Sequence, residues 1–208
     1  MKSVLQKIGK DIWAYLAVIL AVIFVWSWVY NVLTQIKTEE KVSVFIGTYS
    51  ASFEKTKELN EVRPSYLKTV EVNAYTLNDG RFGTYLSVFG YETGDILILP
   101  ESKVTAESCA GIFAEISAAY QAVFAEYKVD GESLGFYGED KVYGIKVYDK
   151  DSRKSLISCL NYVYEGKEEE NFYLFFNKKS VHLSDLTDES KRSEMNGAID
   201  IAKRLLEL

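Results

Sequence analysis

The sequence predicts an N-terminal transmembrane helix followed by a single three-layer α/β domain with a mostly parallel sheet. Three observations predict it: an uncharged run at residues 12–36, strand and helix patterns that alternate after residue 41, and only two prolines in 208 residues, which leaves little room for an interdomain linker.

The run at 12–36 holds 25 residues without a charge. As a helix it spans roughly 37 Å, against about 30 Å of bilayer hydrocarbon. Trp13 and Tyr15 stand at one end and Trp26, Trp28 and Tyr30 towards the other, where amphipathic rings favour the headgroup layers. A cleaved signal peptide would have a shorter apolar core and a small-x-small site, whereas Ser27 lies between two tryptophans. A lipoprotein signal would need a cysteine just after the run, and the first cysteine is Cys109. Lys2, Lys7 and Lys10 precede the run while Lys37 and Lys41 follow it, a modest bias towards a cytoplasmic N-terminus. The expected organisation is therefore a cytoplasmic segment at 1–11, the transmembrane helix at 12–36 and an extracellular domain at 41–208 in the cell membrane. Only residues 37–41 join helix to first strand, which places the domain close to the bilayer.

Setting aside Lys2, Lys7, Lys10 and Asp11 from 24 basic and 30 acidic residues leaves 21 and 29, a net of −8. That balance argues against nucleic acid as a partner. Cys109 and Cys159 are too few for a disulfide framework and read as two buried thiols.

Along the chain, 41–47 alternates as a strand, with Val42, Val44 and Ile46 on one face. Thr48 to Ser52 supplies polar caps, and Phe53, Leu59 and Val62 recur at helical spacing before Pro64. A second strand covers 70–75, and Asn78, Asp79 and Gly80 mark a turn. The continuous apolar run 96–99 reads as a strand buried on both faces, ending at Pro100. Ile112, Phe113, Ile116, Tyr120, Val123 and Phe124 then predict one amphipathic helix of roughly 15–20 residues. This alternation implies parallel strands joined by right-handed crossovers. Further on, 142–148 reads as a strand, and 156–164 with 172–176 as a hairpin around the polar stretch 165–171, although 156–164 also suits a helix. A final helix over 197–208 has Ile199, Ala202, Leu205 and Leu206 on one face and Lys203 and Arg204 near its C-terminus.

Catalytic signals are sparse. His182 is the one histidine, which disfavours metal sites built on several imidazoles and a Ser-His-acid system, so a structural role is expected. No Walker loop, dinucleotide fingerprint, CxxC pair or calcium loop occurs, and neither enzyme activity nor a cofactor is expected. Glu101, Glu139 and Asp140 are acidic without a definable pair, and the run Glu168, Glu169, Glu170 reads as a solvated turn. In open parallel sheets, however, ligands sit outside the carboxyl ends of the strands. Those ends carry Thr48, Tyr49 and Ser50, then Asn78 and Asp79, then Pro100, Glu101 and Ser102. Hydroxyl, amide, carboxylate and aromatic groups together suit a small polar solute such as a sugar or peptide. The competing expectation is that these residues merely cap, turn and pack.

The strand at 41–47, the stretch Glu92-Thr93-Gly94-Asp95-Ile96-Leu97-Ile98-Leu99-Pro100, the strand Tyr143-Gly144-Ile145-Lys146-Val147 and the helix Ala198-Ile199-Asp200-Ile201-Ala202 resemble bacterial extracellular solute-binding proteins of carbohydrate ABC importers. The resemblance implies a periplasmic-binding-protein-like lobe whose ligand edge is carried by Thr48, Tyr49 and Ser50 and by Pro100, Glu101 and Ser102. Those proteins are longer and close a second lobe over the ligand, and residues 149–196 are too few to supply one. They also usually carry a cleaved signal or lipid-modified cysteine. The resemblance therefore implies one tethered lobe, accessory to an ABC-type transporter or to surface sensing, with a membrane permease or other envelope protein as partner. The alternatives are a non-catalytic envelope assembly protein, motivated by 15 tyrosines and 11 phenylalanines, and, least supported, an extracellular hydrolase.

Overall fold

Helix α1 (Lys2–Thr34) takes in the uncharged run except its last two residues, 35 and 36, and none of Ile12–Thr34 is buried. By length and composition it can cross a membrane, a property that anchors share with signal sequences. The computed structural model describes residues 2–51, 57–58, 61, 63–129, 136–138, 141–183 and 196–208. The chain forms two units, Met1–Lys37 and Thr38–Leu208. Most of the helix expected before Pro64 lies outside the described residues, Phe53, Leu59 and Val62 included.

The second unit is built on β1 (Lys41–Thr48), β3 (Thr69–Thr76), β4 (Ile96–Pro100), β5 (Phe136–Gly138), β6 (Lys141–Asp149), β7 (Lys154–Ser155) and β9 (Phe172–Phe176). Among the described residues these form one seven-stranded sheet in the order β3-β1-β4-β9-β6-β5, with β7 paired to the end of β6. A small second sheet pairs β2 (Ser50–Ala51) with β8 (Leu160–Asn161). Only β3, β1 and β4 are hydrogen-bonded in parallel; β9 is antiparallel to both β4 and β6, and β5 and β7 are antiparallel to β6. The sheet is therefore mixed, not mostly parallel. No crossover helix is described between β6 and β9, and a chain that returns without one enters as an antiparallel neighbour.

Alternation along each strand divides the core between two faces. Val44, Ile46, Ile96, Ile98, Ile145, Phe172 and Leu174 point to one, where α5 (Gly197–Leu206) buries Ala198, Ile201, Ala202 and Leu205. Phe45, Leu97, Leu99, Tyr143, Tyr173 and Phe175 point to the other. Phe82 and Leu86 cover it from α2 (Phe82–Tyr85) and the π-helical turn Leu86–Tyr91 that continues it, and Cys109 from α3 (Ala106–Gly111). Cys109 and Cys159 are buried on opposite faces, so no disulfide joins them.

Two further expectations are corrected. The single helix expected from Ile112 to Phe124 is replaced by an extended segment, which follows α3, and by α4 (Ala118–Val123). Phe113 forms a β-bridge with Asn177, and the N–H groups of Ala114 and Ile116 donate to the carbonyls of Phe176 (2.8 Å) and Val142 (2.7 Å). Phe113 packs on one face of the sheet while Ile116, Tyr120 and Phe124 pack on the other, a passage that one straight helix cannot make. The expected hairpin of 156–164 with 172–176 is also absent. β4 and β6 occupy both hydrogen-bonding edges of β9, and of 156–164 only Leu160 and Asn161 find a strand partner, in β2.

The π-helical turn brings backbone close to the start of β4. A Cβ on Gly94 would lie 2.7 Å from the carbonyl oxygen of Gly90, whereas one on Gly83 would meet nothing within 4 Å. Gly94→Ala is expected to destabilise the protein by about 1–3 kcal/mol, and Gly83→Ala, in α2, to leave it unchanged or raise stability by up to about 1 kcal/mol. Denaturant unfolding of both variants checks this, and equal midpoints would refute the close approach.

Candidate functional site

The strands β1, β3, β4 and β6 run in the same direction, and β9 runs opposite to them. The carboxyl ends of four strands and the amino end of β9 therefore share one edge of the sheet. An open cleft of about 690 Å³ lies there. Tyr49 follows β1, Leu77 and Asn78 follow β3, Glu101, Ser102 and Lys103 follow β4, and Lys150 follows β6. The facing wall is the loop that enters β9, with Gly166, Lys167, Glu168, Glu169 and Glu170.

Of the residues expected at a ligand edge, Tyr49, Asn78, Glu101 and Ser102 line this cleft. The others have local work. The buried Thr48 hydroxyl donates to the carbonyl of Asn161 (2.7 Å) and approaches that of Ser50 (3.2 Å), tying β1 to β8. Ser50 is exposed in β2. The Asp79 carboxylate accepts from the Arg81 N–H (2.8 Å) and closes the turn after β3. Pro100 is buried at the last pairing of β4, opposite Phe172.

The acidic run is not a freely solvated turn. Glu169 and Glu170 are half-buried, and each fastens the loop to a neighbouring element. The Glu170 carboxylate accepts the Ser102 N–H at 2.9 Å. Glu169 takes two N–H groups from Arg153 and approaches the Tyr148 hydroxyl at 3.5 Å. Arg153 itself has φ of 56°, a left-handed conformation that costs a non-glycine residue about 1 kcal/mol or more. Asn171 completes the join: its Nδ2 donates to Glu101 (3.3 Å), its Oδ1 accepts the Lys150 N–H (3.1 Å), and its carbonyl accepts the Glu101 N–H (2.9 Å). Lys103, Lys150 and Lys167 form no ion pair among the described residues.

Beneath this edge Lys146 and Asp149 form a buried ion pair at 3.1 Å. The Ser152 N–H donates to Asp149 at 2.9 Å, and this bond, with Lys146, holds the carboxyl below the usual range against the opposing effect of burial. Burial, then the charge of Glu170, pushes the Tyr49 phenol up; burial, then Glu101, does the same for Tyr173.

His182 lies elsewhere. Its buried Nε2 is 2.8 Å from the carbonyl of Lys41, the first residue of β1, and 3.0 Å from that of Thr38. It fastens the start of the domain at the other end of β1 from the cleft. Glu139 and Asp140 fall outside the described residues. Among the described residues no group of three or more His, Cys, Asp or Glu is placed to hold a metal ion.

Sequence pattern alone does not mark Lys103, Lys150 or residues 166–170 as cleft residues. Lys150 is within reach of such reasoning, because it directly follows a legible strand. The loop is not, because its position depends on the direction of β9.

No family model matches the chain, and no curated protein matches it by sequence. Among solved structures, an ABC substrate-binding protein from Listeria monocytogenes in complex with cycloalternan aligns with 52% of this chain and 29% of its own length, at 16% identity and a TM-score of 0.34.

The Asp149 geometry predicts a pH dependence. A carboxyl whose folded pKa lies below its unfolded value of about 3.9 contributes stability that is complete above that value. The contribution is lost as pH falls through the folded pKa. Asp149→Asn should therefore cost about 2 kcal/mol at neutral pH and progressively less below about pH 4. Urea unfolding of both proteins across that range checks it; a difference that persists undiminished at low pH would refute the assignment.

Proposed function

We propose that this chain is a membrane-anchored, extracytoplasmic module that captures a small polar solute in the cleft at the carboxyl edge of its sheet. The observation that carries the reading is the cleft itself, an open space of about 690 Å³ where the ends of four strands converge and which lysine, glutamate, asparagine, serine and tyrosine residues line together. In the proposed arrangement residues 12–36 span the membrane, 1–11 lie in the cytoplasm and 41–208 face outward. An open site buries a ligand only in part, which favours weak affinity unless a partner completes it. The chemistry therefore suits an accessory role beside an ABC-type permease or in surface sensing. A membrane tether raises the local concentration of such a module near other membrane components.

A second reading, an envelope interaction protein, has its own observation. Tyr75, on the edge strand β3, stacks on Tyr85 (5.0 Å between centroids) and lies nearly parallel to Phe89 (5.9 Å, 6°). Phe89 and the neighbouring Val88 are 44% and 46% exposed, the kind of aromatic surface that anchors protein contacts. Crosslinking in intact membranes with and without Phe89→Ser favours this reading if a reproducible partner disappears.

The solute reading is tested by thermal unfolding of the full-length protein in detergent against sugars, amino acids, short peptides and inorganic ions. A bound solute at ten times its Kd adds about 1.4 kcal/mol, a rise of roughly 3–5 °C for a domain of this size. No rise with any member of the panel at millimolar concentration would overturn the solute reading.

A further inference from the structure

The charges around the cleft are balanced. Lys103, Lys150 and Lys167 line it, all three exposed. Of the four glutamates, Glu169 is neutralised by Arg153, which leaves Glu101, Glu168 and Glu170. Among the described residues the Glu101 carboxylate accepts a hydrogen bond from Asn171 and that of Glu170 one from Ser102, and the Glu168 carboxylate forms no hydrogen bond or ion pair. Three basic and three acidic residues thus line one open space, and among the described residues none of the six forms an ion pair.

This composition discriminates between ligand classes. A lone anion would gain from the lysines and lose to the glutamates, and a lone cation the reverse. A neutral polyol would seek an aromatic platform. Tyr49 is the one ring lining the cleft among the described residues, and it is already stacked on Tyr164 at 5.4 Å and 25°. A molecule that carries an ammonium and a carboxylate satisfies both sets at once. We infer that the cleft takes a zwitterion, a free amino acid or a short peptide with unblocked termini, whose carboxylate is held by the lysines and whose ammonium is held by Glu168 and its acidic neighbours. The inference rests on the reading of the cleft as a solute site and narrows its ligand class.

The test uses the full-length protein in lipid nanodiscs and isothermal titration with alanylalanine, its N-acetyl and C-amide derivatives, succinate, 1,4-diaminobutane and maltose. The expected result is binding of alanylalanine, a loss of tenfold or more on blocking either terminus, and weaker binding of both singly signed ligands and of maltose. Lys150→Glu and Glu168→Lys should each weaken alanylalanine at least tenfold, with melting temperatures close to the parent. Three results overturn the zwitterion while leaving a solute site standing: succinate or diaminobutane binding as tightly as alanylalanine, blocked derivatives retaining full affinity, or maltose binding alone. Binding of none of the ligands would overturn the inference, and absence of any stabilising solute in the wider thermal panel would remove the site reading with it.

Discussion

Much of this domain depends on one constraint, the occupation of both edges of β9. Phe172–Phe176 pairs antiparallel with β4 on one side and β6 on the other, so five residues join the parallel strands of the first half to the hairpins of the second. All five are buried and they alternate between the two faces, Phe172, Leu174 and Phe176 against Tyr173 and Phe175. Phe175 stacks on Phe113 at 4.3 Å, which also fixes the extended segment between α3 and α4. Because β9 runs against its neighbours, its amino end arrives where theirs finish. The loop 165–171 is thereby delivered to the edge where β1, β3, β4 and β6 end, and it becomes a wall of the cleft.

A loop of charged residues placed there must be held by its own contacts, since it has little apolar surface to bury. Glu170 on the Ser102 N–H, Glu169 on Arg153 and the three bonds of Asn171 supply them. Exposed ion pairs contribute little individually, whereas charge-assisted bonds to backbone fix position as well as energy. The left-handed Arg153 fits this arrangement: the turn between β6 and β7 accepts an unfavourable backbone conformation at the residue whose guanidinium reaches Glu169. Below, Asp149 ties the end of β6 to that same turn through Ser152, so the floor of the edge and its wall are mechanically connected.

The strands were legible wherever local pattern determines them. Val42, Val44 and Ile46 alternate, Ile96 to Leu99 is apolar throughout, and both become strands because burial on one or two faces writes itself directly into residue order. The C-terminal helix was legible for the same reason. Direction and pairing were not, because they depend on partners distant in sequence: Phe172–Phe176 reads identically whichever way its neighbours run. Periodicity also misled at Ile112 to Phe124, where residues spaced for one helical face are distributed over two faces of a sheet. At the cleft, Tyr49, Asn78, Glu101 and Ser102 were accessible from the rule about strand ends, while Lys167 to Glu170 resemble any solvated turn until β9 places them.

The two ends of β1 have different duties. Its first residue, Lys41, is held through its carbonyl by His182, and the neighbouring Ser43 N–H donates to the buried Asp95 carboxylate at 2.7 Å, so the point where the chain enters the domain is rigidly tied to β4 and to residues 180–182. Its last residue, Thr48, borders the cleft through Tyr49. Eight residues of strand put roughly 25 Å between the two. The chain therefore enters the domain at one end of this strand and the cleft opens at the other, and each end is fixed by a buried polar group, Asp95 at the first and Thr48 at the second.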